Sequence, residues 1–85
     1  MSTPTAPGDQ TRTLGVVECF VAVVNQCPNG SVRQMAENAL VAVERDGAAA
    51  LPEQAFLVQT AIRGWQGDRA GQVKRSLQAF LDGAG

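Results

Sequence analysis

The sequence predicts an all-α fold, a compact bundle of four short helices behind a disordered N-terminal tail. Apolar residues recur at three- and four-residue spacing along most of the chain, which is the period of a helix with one buried face. Turn chemistry separates these segments at Pro28-Asn29-Gly30, Gly47, Pro52 and Gly67-Asp68. A chain of 85 residues supports one small core rather than two. The expected organisation is a tail over residues 1–12 and a single four-helix domain over residues 13–85.

The tail reading rests on composition. Met1 to Arg12 carries prolines, threonines and a glycine, with no large apolar residue after Met1, so ordering it would bury too little to offset the entropy lost. The apolar run Leu14 to Val24 has the length of a secretory h-region. Glu18 interrupts it, Asp9 balances Arg12 ahead of it, and no small-x-small site follows. It is also shorter than the roughly 20 residues a bilayer span requires. The expectation is a cytoplasmic protein with no membrane contact.

The first helix is expected over 14–26, capped by Thr13. Its valines favour strand locally. However, Val16-Val17 and Val23-Val24 break a period of two, while Gly15, Glu18, Ala22, Asn25 and Gln26 gather into one small or polar arc at 100° per residue. Ser31 with Gln34 reads as a capping box for a second helix over 32–46. That helix would bury Val32, Met35, Ala36, Ala39, Leu40 and Val43, and end at Gly47 as its C′ residue. Ala48 to Leu51 is open between a further helical turn and a linker. Pro52 suits the first position of a third helix running to Gln66, with Leu57, Val58, Ala61, Ile62 and Trp65 on its buried stripe. Asp68 would cap a fourth helix over 69–82, buried through Ala70, Val73, Leu77, Phe80 and Leu81.

Cys19-Phe20-Val21 and Ala55-Phe56-Leu57, 36 residues apart, have the spacing of an internal repeat of helix pairs. The match ends at the polar Gln59, Thr60 and Arg63.

Composition removes whole classes of function. Seven basic and eight acidic side chains give a net charge of −1, which argues against a nucleic-acid clamp or a polybasic membrane binder. There is no histidine and no tyrosine, so the commonest general base is missing. Glu18 and Cys19 are adjacent and therefore point about 100° apart on a helix, which makes no dyad. No glycine-rich phosphate loop and no acids at metal spacing occur. The expectation is a non-enzymatic chain without cofactor or metal. Two cysteines, Cys19 and Cys27, on one helix would sit roughly 12 Å apart, beyond the about 7 Å a disulfide allows. They read as buried small hydrophobes.

What remains is surface. The first helix has an apolar arc of roughly 220°, where packing on one neighbouring layer needs about 100°. That surplus marks Leu14, Val17, Val21 and Val24 as candidate partner contacts, for a homodimer or another protein, against the plain reading that they line a central helix of the monomer. Phe56, on a polar face among Glu53, Thr60 and Arg63, is a further contact candidate. Its plain alternative is packing under Ala48–Leu51. Val41 reads as an ordinary surface hydrophobe, and Trp65 as core with its indole at a turn.

The leading functional reading is a non-catalytic protein-interaction or regulatory module of the adaptor, inhibitor or small-chaperone kind, self-associating through helix 1. A second reading is a small DNA-binding regulator using Arg69, Gln72, Lys74 and Arg75 of helix 4. Three cations are few beside the six to ten phosphate contacts of typical binders, and Asp68 and Asp82 flank them. A third is a carrier of an apolar ligand between helices 1 and 3.

Overall fold

The computed structural model describes residues 13–84, Ala84 by its backbone alone. The tail expected over residues 1–12 lies outside the described residues. The elements are α1 (Val16–Gln26), α2 (Gly30–Asp46), α3 (Leu51–Ala61) and α4 (Asp68–Ala84), with 3₁₀ turns at Gly47–Ala50 and Ile62–Gly64. Among the described residues there is no strand, so the all-α expectation holds. The expected four separate helices need one correction. From Gly30 to Gly64 helical turns follow one another with no intervening loop, Gly47 alone taking a positive φ, so the chain makes three helical runs: 16–26, 30–64 and 68–84.

Glycine is the reason. Gly47 stands at φ 73°, where a Cβ would be strained, while its N–H still bonds to the Val43 carbonyl. The chain therefore changes direction at one residue and re-enters a helical turn at once. Ala48–Leu51, left open by the sequence, is that turn plus the start of α3. Pro52 sits second in α3 rather than first, still within the opening turn whose N–H groups have no helical partner. Gly67, at φ 119°, makes the other sharp turn. Its carbonyl takes the Gly71 N–H at 3.0 Å, so Asp68 is the first residue of α4 and not its cap. There its charge opposes the helix dipole favourably.

The other caps also differ from expectation. Thr13 does not cap α1, because the Leu14 N–H donates instead to Ser76 Oγ at 2.8 Å. That bond keeps the chain extended as far as Gly15. Glu18 then reaches back and accepts the Gly15 N–H at 2.8 Å. The Ser31 capping box is also absent. Asn29, extended at φ −86°, accepts the Val32 N–H on its side chain at 3.1 Å, so α2 starts at Gly30 and Ser31 lies inside it. Arg33 Nη1 donates to the Cys27 carbonyl at 2.9 Å and closes the same turn.

α1 packs on α2 and α4, and α3 packs on the same two. α1 and α3 touch only slightly across the diagonal. Cys19, Phe20 and Val23 of α1, Val58 of α3, Ile62 after it, and Val73 and Leu77 of α4 are wholly buried. Ala36 and Ala39 are the wholly buried residues of α2, and their small size lets its backbone come close to the others. Trp65 is buried with this core, as the sequence implied. Met35 and Leu57 are not; both are exposed. Each lies one residue, about 100° of helix, away from a wholly buried neighbour (Ala36 and Val58), and so falls outside the arc the core occupies.

The caps make a direct test. Asn29→Ala should cost about 1 kcal/mol, a fall in Tm of about 4–8 °C for a domain of this size. Ser31→Ala should change it little, and thermal melts of the two variants decide.

Candidate functional site

α1 has eleven residues, and most of its apolar side chains turn inward. Cys19, Phe20, Ala22 and Val23 are buried, with Val16 and Val24 packed at the edge of the core. Val17 and Val21 are the exception. One turn apart, they remain 45% and 41% exposed. They line a shallow groove of about 400 Å³ whose wall includes Leu14, Ala22, Glu18 and Arg69.

The groove has polarity along its length. Leu14 lies opposite Ser76, and Cys19 Sγ is 4.0 Å from the Val73 carbonyl, so α1 and α4 run antiparallel. Arg69, at the start of α4, therefore meets the C-terminal half of α1, whereas Glu18 belongs to its first turn. Arg69 Nη1 donates to Gln72 Oε1, and its Nε is buried without a hydrogen-bond partner. The groove thus has an apolar floor, a carboxylate toward one end and a guanidinium toward the other.

The predicted contact residues separate into three roles. Val17 and Val21 are available on this surface. Leu14 is a buried anchor, only 6% exposed, which forms part of the groove wall, and Val24 packs against the core. Phe56 is 58% exposed, so it does not tuck under the Ala48–Leu51 segment. It sits on α3, diagonal to α1, and does not line the groove. Leu57 beside it is exposed as well, making a second apolar patch. Val41 is exposed on the α2 surface, where Gln34 and Asn38 hydrogen-bond at 3.2 Å.

The alternative nucleic-acid set does not form one face. Gln72 is wholly buried, with its Oε1 on Arg69. Lys74 Nζ donates to the Trp65 carbonyl at 2.6 Å and the Arg63 carbonyl at 3.2 Å. Only Arg75 of the four is exposed. For the carrier reading, the centre of the bundle is filled by Phe20, Val23, Val58 and Ile62, each wholly buried.

The sequence reading missed Arg69 as a wall of the α1 groove, having placed it with the helix 4 cations. No linear signal links residues 18 and 69; only the antiparallel docking does. Among the described residues no group of three or more metal-ligating side chains assembles, and no helix is long and apolar enough to cross a membrane. Both cysteines are free and buried. The chain matches no family model, no curated protein and no solved structure.

Burial pushes the Cys19 thiol from 9.0 up to about 12, with the Glu18 carboxylate adding to the rise and the Ser76 hydrogen bond opposing it. The folded chain therefore keeps a proton that the unfolded chain loses across that interval. The resulting stability is complete below pH 9.0 and falls as pH climbs toward about 12. Cys19→Ala should show a shallower alkaline decline in its urea midpoint than the parent chain.

Proposed function

We propose that this chain is a non-catalytic protein-interaction module of the adaptor or inhibitor kind that self-associates through α1. The observation behind this reading is the pair Val17 and Val21, exposed one turn apart on a helix whose other valines belong to the core. Covering them removes apolar surface at about 25 cal/mol per Å². A core this small gains from such a partner, because binding to the folded state alone stabilises it.

A second copy suits the surface. Oligomers of this type are usually two-fold, with the same patch facing itself. An antiparallel pairing of two α1 helices sets the valines of one copy against those of the other. It also brings Glu18 of each protomer toward Arg69 of its partner, so the charges match rather than clash. Electrostatic matching of this kind fixes register and orientation more than it adds affinity.

Light scattering over about a hundredfold dilution checks the reading through mass action. The parent chain should show a dimer mass that dissociates at the low end. Val21→Glu should give a monomer throughout with its helical circular dichroism retained, since that side chain is not part of the core. A parent chain that is monomeric at every concentration, or a variant that unfolds at every concentration, overturns it.

A further inference from the structure

A second site lies on the seam between α3 and α4, and it shares no lining residue with the α1 groove. Gln59, Thr60, Arg63, Lys74 and Gln78 line a cleft of about 340 Å³, within the size range of small-molecule sites. Every lining residue is polar and two are cations, while no acid lines the cleft. Its internal bonds set what it can accept. Gln59 Nε2 donates to Gln78 Oε1 at 2.8 Å, and Gln78 Nε2 donates to Asp82 Oδ1 at 2.8 Å. Thr60 Oγ1 donates to the Phe56 carbonyl at 2.9 Å. The nearby carboxylate is thus satisfied from the far side of Gln78, and the threonine hydroxyl hydrogen is already used.

The two cations are placed differently. Lys74 Nζ is fixed by the Trp65 and Arg63 carbonyls, which take two of the three N–H donors of an ammonium. It is therefore a held point charge with one donor to spare, and the bridge between Gln59 and Gln78 holds the two helices around it. Arg63, in the 3₁₀ turn that follows α3, lines the cleft together with Gln59. Its side chain is exposed, and among the described residues no hydrogen bond holds its guanidinium. A planar fork beside a fixed ammonium fits an oxyanion with several acceptor oxygens. A singly charged carboxylate would balance only one of the two cations, whereas a phosphate group near its second ionisation balances both.

We infer that the α3–α4 cleft binds a phosphate group, carried free or on a small phosphomonoester, through Arg63 and Lys74 with the Gln59 amide as an additional donor. Titrating nitrogen-15-labelled protein with inorganic phosphate and with glycerol phosphate tests this. Sodium acetate at the same ionic strength is the control. Saturable shifts are expected at the Gln59 and Gln78 side-chain amides and at the backbone of Thr60 to Trp65. Tighter binding of glycerol phosphate would assign the cleft to a phosphomonoester, and equal binding would assign it to the bare phosphate group.

Arg63→Gln should weaken either ligand about tenfold, the value of one charge-assisted hydrogen bond, with an unchanged melting curve because the side chain is exposed. Arg45→Gln, which removes an exposed cation on α2, should leave binding as it was. The inference is overturned if acetate reproduces the shifts, if they fail to saturate, or if Arg63→Gln binds as the parent does. None of these outcomes bears on the mass measured for α1 self-association.

Discussion

The structure depends on the burial of one face of α1. Cys19, Phe20 and Val23 are wholly enclosed, and Phe20 is the largest side chain to be so. A core with few large side chains has no second centre of comparable weight. The residues around it are shaped to let the backbones close on that face. α2 contributes Ala36 and Ala39, α4 contributes Ala70 and Val73, and α3 approaches across the diagonal with Val58, followed by Ile62 in the turn after it. Deleting a buried phenylalanine costs about 3–5 kcal/mol, which is much of the stability of an ordinary small domain. The bond from the Leu14 N–H to Ser76 belongs to the same arrangement, since it fixes where α1 begins relative to α4.

That constraint also explains which parts of the fold could be read in the chain. The helical period of α2 and α4 was legible because one clear stripe meets one core: Ala36, Ala39 and Val43 on the first, Ala70, Val73 and Leu77 on the second. The existence of α1 was legible from where its polar residues fall, even though its valines prefer strand. Helix starts were not legible. Thr13, Ser31 and Asp68 are all good capping residues by type, and each lost the position to a neighbour fixed by something distant or stereochemical. Leu14 is held by a hydroxyl on α4, Asn29 already occupies the extended geometry a cap needs, and Gly67 alone takes the positive φ. The continuity of α2 and α3 was hidden for a similar reason. Gly47 reads as a helix end in sequence, and it is one, but the next turn begins on the following residue.

Surfaces were less legible than elements. Periodicity tells which side of a helix is apolar, not how much of that side its neighbours reach. On α1 it grouped Leu14, Val17, Val21 and Val24 together. The packing divides them, with Leu14 held by α4, Val24 packed against the core, and Val17 and Val21 left exposed. The cationic cleft has a partial signal in the chain. Gln59 and Arg63 are four residues apart, as are Lys74 and Gln78, the spacing of neighbours on one helical face, although Arg63 falls in the 3₁₀ turn after α3. Only the side-by-side packing of α3 and α4 turns two such pairs into one concave surface, and that packing depends on contacts far apart in the chain.

The closed order of helices places the two candidate surfaces. A helix in such a ring is covered on two sides by neighbours and on a third by whatever crosses the centre. α1 has more apolar arc than α2 and α4 can cover, so its outer side is apolar. α3 is diagonal to it and brings Gln59 and Thr60, with Arg63 in the turn that follows, to the cleft beside α4, so that seam is polar. If two copies pair through α1, their α3–α4 seams face outward on opposite sides of the dimer and stay open to solvent. Self-association and anion binding are then compatible on one chain, and α4 is the element common to both. It supplies Arg69 to the α1 groove from its first turn and Lys74 to the cleft from its second, with Val73 and Leu77 in the core between them. A shift of α4 along its axis would move both cations together. In that respect the two surfaces are mechanically joined, although they share no residue.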